Sequence, residues 1–352
     1  MNSSLGLRRL SLFSISAAVA AVLLHAPAQA SSFTISEQTP TNLSGVSPFV
    51  LQGDAQNDRV FYGGGPGGWQ MANCAPSGSC TSTGLPFSFG LDYTSVTLAD
   101  GSSRAYFVAM SPDGTKEITS APVVYGAGIP ALGAPTPLGL KSAPQQRAWG
   151  VPDSVVLPDG RVRLYWVDVD PSAARPSSTS IKPTGKQRAC AAKKLGAAQL
   201  AKIAKGAKPT AAQVTKLTAC GVNLSTVVGI NSPEVIVSAT STDATGTSFI
   251  KDAGNRFTGG FVDSDVIQAK SGDWIALVST GPGQPPQRLY AATSTDGLTW
   301  SVVAKPLTAD NVNVLDPTAY QTGPNSWRLY FSQSPKATPF ENHTIIGATL
   351  RR

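Results

Sequence analysis

The 352-residue chain holds 34 glycines, 27 prolines and 14% charged residues, with a formal net charge of +7. Of its two histidines one, His25, falls in the leader described below, which excludes a multi-histidine zinc centre and leaves a Ser-His-Asp triad almost no room. Any chemistry must therefore rest on carboxylates.

Residues 1–30 read as an export signal, with Arg8-Arg9 as its basic start, an apolar run from Leu10 to Leu24 and a small-residue cleavage site at Ala28-Gln29-Ala30. That run is shorter than the ~20 apolar residues needed to cross hydrocarbon, so no membrane span is expected. The mature protein is expected in the periplasm or secreted. Residues 31–352 show no composition break of the kind that separates unrelated folds, so repetition of a smaller unit is the first possibility to examine.

Five stretches share one pattern: "SPFVLQGDAQNDRVFYGG" from Ser47, "DYTSVTLADGSSRAYFVAM" from Asp92, "PDSVVLPDGRVRLYWVDV" from Pro152, "DSDVIQAKSGDWIALVST" from Asp263 and "DPTAYQTGPNSWRLYFSQ" from Asp316. Each is an apolar strand, a polar turn and an aromatic-bearing strand, a hairpin. A third strand leads into Ser-x-Asp, seen in "AMSPDGTKEI", "ATSTDATGTSF" and "ATSTDGLTW", where Asp113, Asp243 and Asp296 are expected to satisfy turn amides and fasten the units. Four strands at a period of about 45 to 60 residues predict an all-β fold, a five-bladed β-propeller. The N-terminal "SFTISEQTPTNLSGVSPF" is expected to complete the last blade beside the C-terminal "HTIIGATLRR" and lock the ring.

One segment, residues 182–222, breaks the repeat. Its "KQRACAAKKLGAAQLAKIA" and "TAAQVTKLTAC" predict a small α-helical hairpin inserted in the third blade, with Thr210 and Gln213 forming a capping box. Four cysteines suit an oxidising compartment and allow three connectivities, of which the local pairs Cys74–Cys80 and Cys190–Cys220 are expected as staples. From Arg175 to Cys220 the chain carries ten basic residues and no acid, which makes an anionic surface a candidate partner of the hairpin. No nucleic-acid partner is expected.

The stretches "VLDPTAYQTGPNSWRLYFSQS" and "YAATSTDGLTWS" resemble the five-bladed propeller glycosidases, the arabinanase/xylosidase and invertase-like superfamily, whose blades often begin Asp-Pro and carry Ser-x-Asp-Gly-x-x-Trp turns. The turn also resembles the Asp-box of sialidases, and in both families it is structural. The resemblance implies a glycoside hydrolase with an Asp base on the first blade, a pKa-tuning Asp on the second and a Glu acid on the third. Here Ser47 and Asp153 stand at the first and third of these positions, and only Asp92 matches. Glu234, the nearest Glu in the third unit, falls on a later strand.

The first strand of each propeller blade lines the central channel, and its leading residues converge at one mouth. That rule gathers Asp92, Asp153, Asp263 and Asp316 as candidate catalytic carboxylates, for glycoside hydrolysis needs one carboxylic acid and one carboxylate. Four carboxylates around one axis repel unless protons, donors or a cation offset them, so a calcium ion in the channel is a candidate cofactor. Trp149, just before "GVPDS", and Trp69, in "GGGPGGWQ", are candidate platforms for stacking a sugar. The expected function is that of an exported carbohydrate-active propeller hydrolysing glycosidic bonds at the mouth. The alternative is a non-catalytic propeller that binds a glycan or a cell-envelope partner.

Overall fold

The computed structural model describes residues 32–352 apart from 55–56, 65–67, 84–89, 127–129, 145, 147–148, 171–184, 205–209, 221–233, 283 and 340. The expected export signal lies outside the described residues. Among those described, no helix is long and apolar enough to cross a membrane.

The chain opens on β1 (Thr34–Ser44) and then builds five antiparallel sheets in succession. The first contains β2 (Val46–Asp54), β3 (Asn57–Gly63), β4 (Trp69–Cys74) and β5 (Cys80–Ser82); the second contains β6 (Leu91–Thr97), β7 (Ser103–Met110), β8 (Lys116–Val124), the short β9 (Ala131–Leu132) and β10 (Thr136–Lys141). The third contains β11 (Gly150–Val156), β12 (Val162–Val169), β13 (Glu234–Ser241) and β14 (Phe249–Lys251), and the fourth β15 (Phe261–Gln268), β16 (Trp274–Thr280), β17 (Leu289–Ser294) and β18 (Ser301–Val302). The fifth contains β19 (Val312–Gly323), β20 (Ser326–Pro335) and β21 (Thr344–Arg351), and its outer place is filled by β1, which pairs with β21 from Thr34 opposite Arg351 to Ser44 opposite Thr344. The fold is a five-bladed β-propeller. Its first strand closes the last blade, so the two chain ends hold each other by main-chain hydrogen bonds.

Burial explains why five sheets form one body. Each sheet is apolar on both faces and meets a neighbour on each. Five clusters fill the five gaps: Phe61 and Met71 against Phe107, Val108 against Trp166, Ile236 against Ala276, Leu277 against Trp327, and Tyr330 against Val60, which closes the circle. Polar latches supplement them. The Tyr106 hydroxyl of the second blade donates to the carbonyl of Gly246 in the third, and the Tyr165 hydroxyl of the third donates to Gly297 in the fourth.

Those two carbonyls belong to Ser-x-Asp turns. Asp243 accepts from the Thr245 N–H, and Asp296 from the Leu298 and Thr299 N–H groups at 2.7 Å each. Both turns join the third and fourth strands of their blades. The Asp113 turn, which likewise accepts from Thr115 N–H, joins the second and third strands instead, at the other end of its sheet. The three copies are thus not one repeated position. Any tight reversal selects the same Asx-turn chemistry, so the motif marks a turn and not its place in the blade.

Three helices, α1 (Gly185–Leu195), α2 (Ala197–Ala204) and α3 (Ala211–Thr218), fall in chain order between β12 and β13. The expected two-helix hairpin is corrected here, because its first arm ends at Gly196. There φ is +83°, a left-handed conformation that glycine adopts freely and that terminates α1. The predicted capping box is present, the Gln213 N–H donating to the Thr210 hydroxyl and the Thr210 N–H to the Gln213 side chain. The disulfides Cys74–Cys80 and Cys190–Cys220 both form.

Candidate functional site: the channel mouth

The innermost strands β2, β6, β11, β15 and β19 share one backbone device. Each contains a residue with positive φ near its start, Ser47, Asp92, Val151, Asp263 and Asp316, all between 50° and 52°. At the same point each strand loses register with its partner, a bulge that tips the strand end into the channel. Asp and Ser tolerate the left-handed region because a short polar side chain can bond locally. The β-branched Val151 does not, and its conformation is strained.

This device corrects the sequence alignment. The third-blade counterpart of Asp92, Asp263 and Asp316 is Val151, and Asp153 lies two residues further along, level with Asp265, Thr94 and Thr318. Both tiers line one pocket, together with Phe49, Tyr93, Ser264 and the prolines 48, 152 and 317. Asp265, missed in the sequence, is therefore a fifth carboxyl at the mouth. Its signal was present in "DSD", where alternate residues of a strand share a face.

The carboxyls reach sideways to the next blade. Val151 N–H donates to Asp92 at 3.2 Å, and Ser47 N–H to Asp316 at 2.9 Å, from the first blade to the last. In the deeper tier, Val266 N–H donates to Asp153 at 2.6 Å and Ala319 N–H to Asp265 at 3.0 Å. The Thr318 hydroxyl takes the same role, accepting from Val50 N–H at 3.2 Å. Asp263 accepts from the Ser279 hydroxyl at 2.9 Å. Apart from the Ser279 contact, which stays within the fourth blade, each satisfies a channel-facing amide of the adjoining innermost strand, so these side chains stitch blade to blade around the channel.

Crowding and burial also hold protons on them. Burial raises Asp153 to about 7 and Asp316 to about 6. Asp263 and Asp265 lie well above the ordinary carboxylate value, first through burial and then through the neighbouring carboxylates of Asp316 and Asp153. Asp92, half-buried at the rim, is raised by desolvation, which the Val151 N–H and the Lys116 ammonium oppose. Lys116 is itself pulled down by burial, and its Nζ donates to the Trp149 carbonyl at 3.0 Å.

Among the described residues no group of three or more His, Cys, Asp and Glu side chains is arranged to hold a metal ion. Of the expected calcium ligands, Asp92, Asp153 and Asp316 turn to backbone amides and Asp263 to the Ser279 hydroxyl, so the donor set does not fit a calcium ion. The two tryptophans also lie elsewhere. Trp149, 4% exposed, packs between the second and third blades, and Trp69, 5% exposed, packs against Tyr93 with its indole N–H on the Gly90 carbonyl. Neither shows a ring face to a sugar.

The mouth pocket holds about 40 Å³, room for about three waters. Beside it, on the same face, a cleft of about 490 Å³ is lined by Ser44, Gly45, Val46, Gly63, Glu341, Asn342, His343 and Thr344. Val46 and Ser47 join the two. Glu234 also opens its strand on this face. It is buried, its pKa is raised by that burial, and its carboxylate lies against Gly260 and Gly281, where an added Cβ would come within 3.8 and 3.3 Å of it.

No protein-family model and no curated protein matches the sequence. Solved structures do match in fold. An endo-arabinase from Bacteroides thetaiotaomicron superposes with a TM-score of 0.54 at 10% identity, covering 91% of this chain and 97% of that one. An endo-1,4-beta-xylanase from the same organism gives 0.51 at 12% identity, covering 90% and 92%. A xylan beta-1,4-xylosidase from Bacillus halodurans gives 0.50 at 12% identity, covering 87% of this chain, which spans only 52% of that protein's length. The chain has the five-bladed fold of these glycosidases, as the resemblance implied.

Proposed function

We propose that this chain is an exported propeller, periplasmic or secreted, that binds a carbohydrate on its mouth face without cleaving it. The observation that carries this reading is the way the mouth acids are engaged: four of the five accept backbone N–H groups from a neighbouring blade, around a space of about 40 Å³. Glycoside hydrolysis needs two free carboxyl groups roughly 5 to 9.5 Å apart with the sugar between them. The adjoining cleft of about 490 Å³ falls within the usual range for ligand pockets, and Ser44, Asn342, Thr344 and Glu341 offer it the donors and acceptors that sugar hydroxyls need. The neighbours in fold are named as an arabinase, a xylanase and a xylosidase, which supports carbohydrate as the ligand class.

Hydrolysis stands as a second reading because of Asp263, which keeps its proton beside Asp316, whose pKa is about 6. Such a pair offers a donor and an acceptor near neutral pH. One experiment separates the readings: titration calorimetry with arabinan- and xylan-derived oligosaccharides, run beside an aryl-glycoside turnover panel, for wild type and Asp263→Asn. The expected result is saturable binding of at least one oligosaccharide by both proteins and no sugar release. Turnover that Asp263→Asn abolishes with an unchanged Tm establishes the hydrolase. Absence of binding and turnover across the panel removes arabinan- and xylan-type glycans as the ligand.

A further inference from the structure

The strand register fixes where the helices attach. Val167 pairs with Gly150 beside the pocket-lining Val151, and Val169 pairs with Glu234. The end of β12 and the start of β13 therefore lie at the mouth end of the third blade, and the connection that contains α1, α2 and α3 leaves and rejoins the propeller on that face.

The helices are built as a module of their own. Ala191, Ile203 and Leu217 form a separate small core, with Leu195, Leu200 and Cys220 packed against it, and Cys190–Cys220 closes it covalently. Its outside is uniformly cationic. Lys186, Arg188, Lys193, Lys194, Lys202 and Lys216 are all exposed, and among the described residues none of them forms an ion pair. No acid lies between Arg175 and Cys220 to neutralise them. Solvated helical faces ordinarily mix both signs, since like charges one turn apart repel. A one-signed surface on a stapled core is stable against an opposite charge.

The chemistry of that charge can be narrowed. None of the exposed large apolar side chains among the described residues lies on the helices, so the described residues present no apolar face to a bilayer. No aromatic residue occurs from Gly185 to Cys220 to stack a base. Five of the six cations are lysines, compact point charges without the planar fork that grips one phosphate. Lys186 and Lys193 share a face of α1 two turns apart, about 10 Å along the axis, which suits charges repeated along a polymer. We propose that the module is a clamp for an acidic, carboxylate-bearing polysaccharide, tethered to the mouth face at the third blade, across the channel from the cleft between the first and fifth. This inference rests on the carbohydrate reading above and adds the class of glycan.

The test uses the full chain and the combined variant Lys193→Gln, Lys194→Gln, Lys202→Gln and Lys216→Gln, all at exposed positions. Affinity electrophoresis and calorimetry are run with polygalacturonate, with neutral arabinan and xylan, and with phosphatidylglycerol vesicles, at low and at 0.3 M salt. The expected result is polygalacturonate binding that weakens at least about tenfold in the variant and again in salt, with unchanged Tm and unchanged neutral-glycan binding. Polygalacturonate binding equal in both proteins, or tighter binding to the vesicles, overturns the proposal. If neutral glycans bind and polygalacturonate does not, the clamp falls while the carbohydrate reading stands; if no glycan binds, both fall.

Discussion

Val151 is the residue at which the ring of mouth positions departs from its own rule. Ser47, Asp92, Asp263 and Asp316 hold the left-handed conformation with side chains that can bond locally, whereas Val151 holds it at φ 51° with a branched Cβ. That costs roughly 1 to 2 kcal/mol. Replacing it with Asn, which tolerates the region, should stabilise the protein by about 1 kcal/mol and raise Tm by roughly 2 °C in a calorimetric scan. Val151→Ile, equally branched, should not. An Asn variant that melts at or below the wild-type temperature would show that the strain is relieved by contacts at this position. The same residue shows why the site was only partly legible. Four of the five leading positions could be read from the repeat, but a valine carries no signal for positive φ, so the alignment slid to the nearest Asp, Asp153. The tryptophans were misplaced for a related reason: each stands next to glycine in the chain, and nothing local in the sequence reports that blade-to-blade packing covers both indoles.

At the scale of elements, the recurring order of apolar strand, polar turn and aromatic-bearing strand was enough to find the hairpins, and the match between both chain ends was enough to predict the closure by β1. What escaped was set by contacts distant in sequence. The break between α1 and α2 turns on a single glycine, and the Asp113 turn, alike in sequence, differs from those at Asp243 and Asp296 in which strands it joins. The helical module gives a direct test of modularity. Its core contains only its own residues, so replacing Lys186 to Thr218 with a short Gly-Ser linker should leave the propeller's β-type circular dichroism and cooperative melt in place, with Tm shifted by no more than about 2 °C. A large fall in Tm, or a loss of cooperativity, would make the helices part of the propeller core. Reducing Cys190–Cys220 should act within the module, because the bond closes a 30-residue separation and contributes about 3.6 kcal/mol there in the chain-entropy model. The corresponding loss should appear as faster amide exchange in α1 and α3, with the blades unchanged.

For the whole molecule, the mouth acids and the turn acids pull stability in opposite directions with pH, and their windows do not overlap. Burial raises Asp153 to about 7 and Asp316 to about 6, above an ordinary carboxylate value of 3.8, so the folded chain holds these protons more tightly than the unfolded one. Their contribution is full below about pH 4 and is lost as pH rises through 6 and 7. Asp296 is lowered to about 2 because, although desolvation acts against it, the Thr299 and Leu298 N–H groups and the Ser294 hydroxyl stabilise its charged form. Its contribution is present above about pH 4 and is lost as pH falls toward 2. Stability should therefore peak near pH 4 to 5 and decline toward pH 8, by at most about 1.4 kcal/mol per pH unit for each mouth group that titrates. Scanning calorimetry at pH 5 and pH 8 checks the direction, and the slope should flatten in Asp153→Asn, which keeps the shape of the side chain but has no proton to lose. A Tm at pH 8 equal to or above that at pH 5 would mean that the mouth carboxyls are ionised in the folded chain. In that event a bound cation, or a rearranged latch between blades, has to supply the positive charge that the protons supply here.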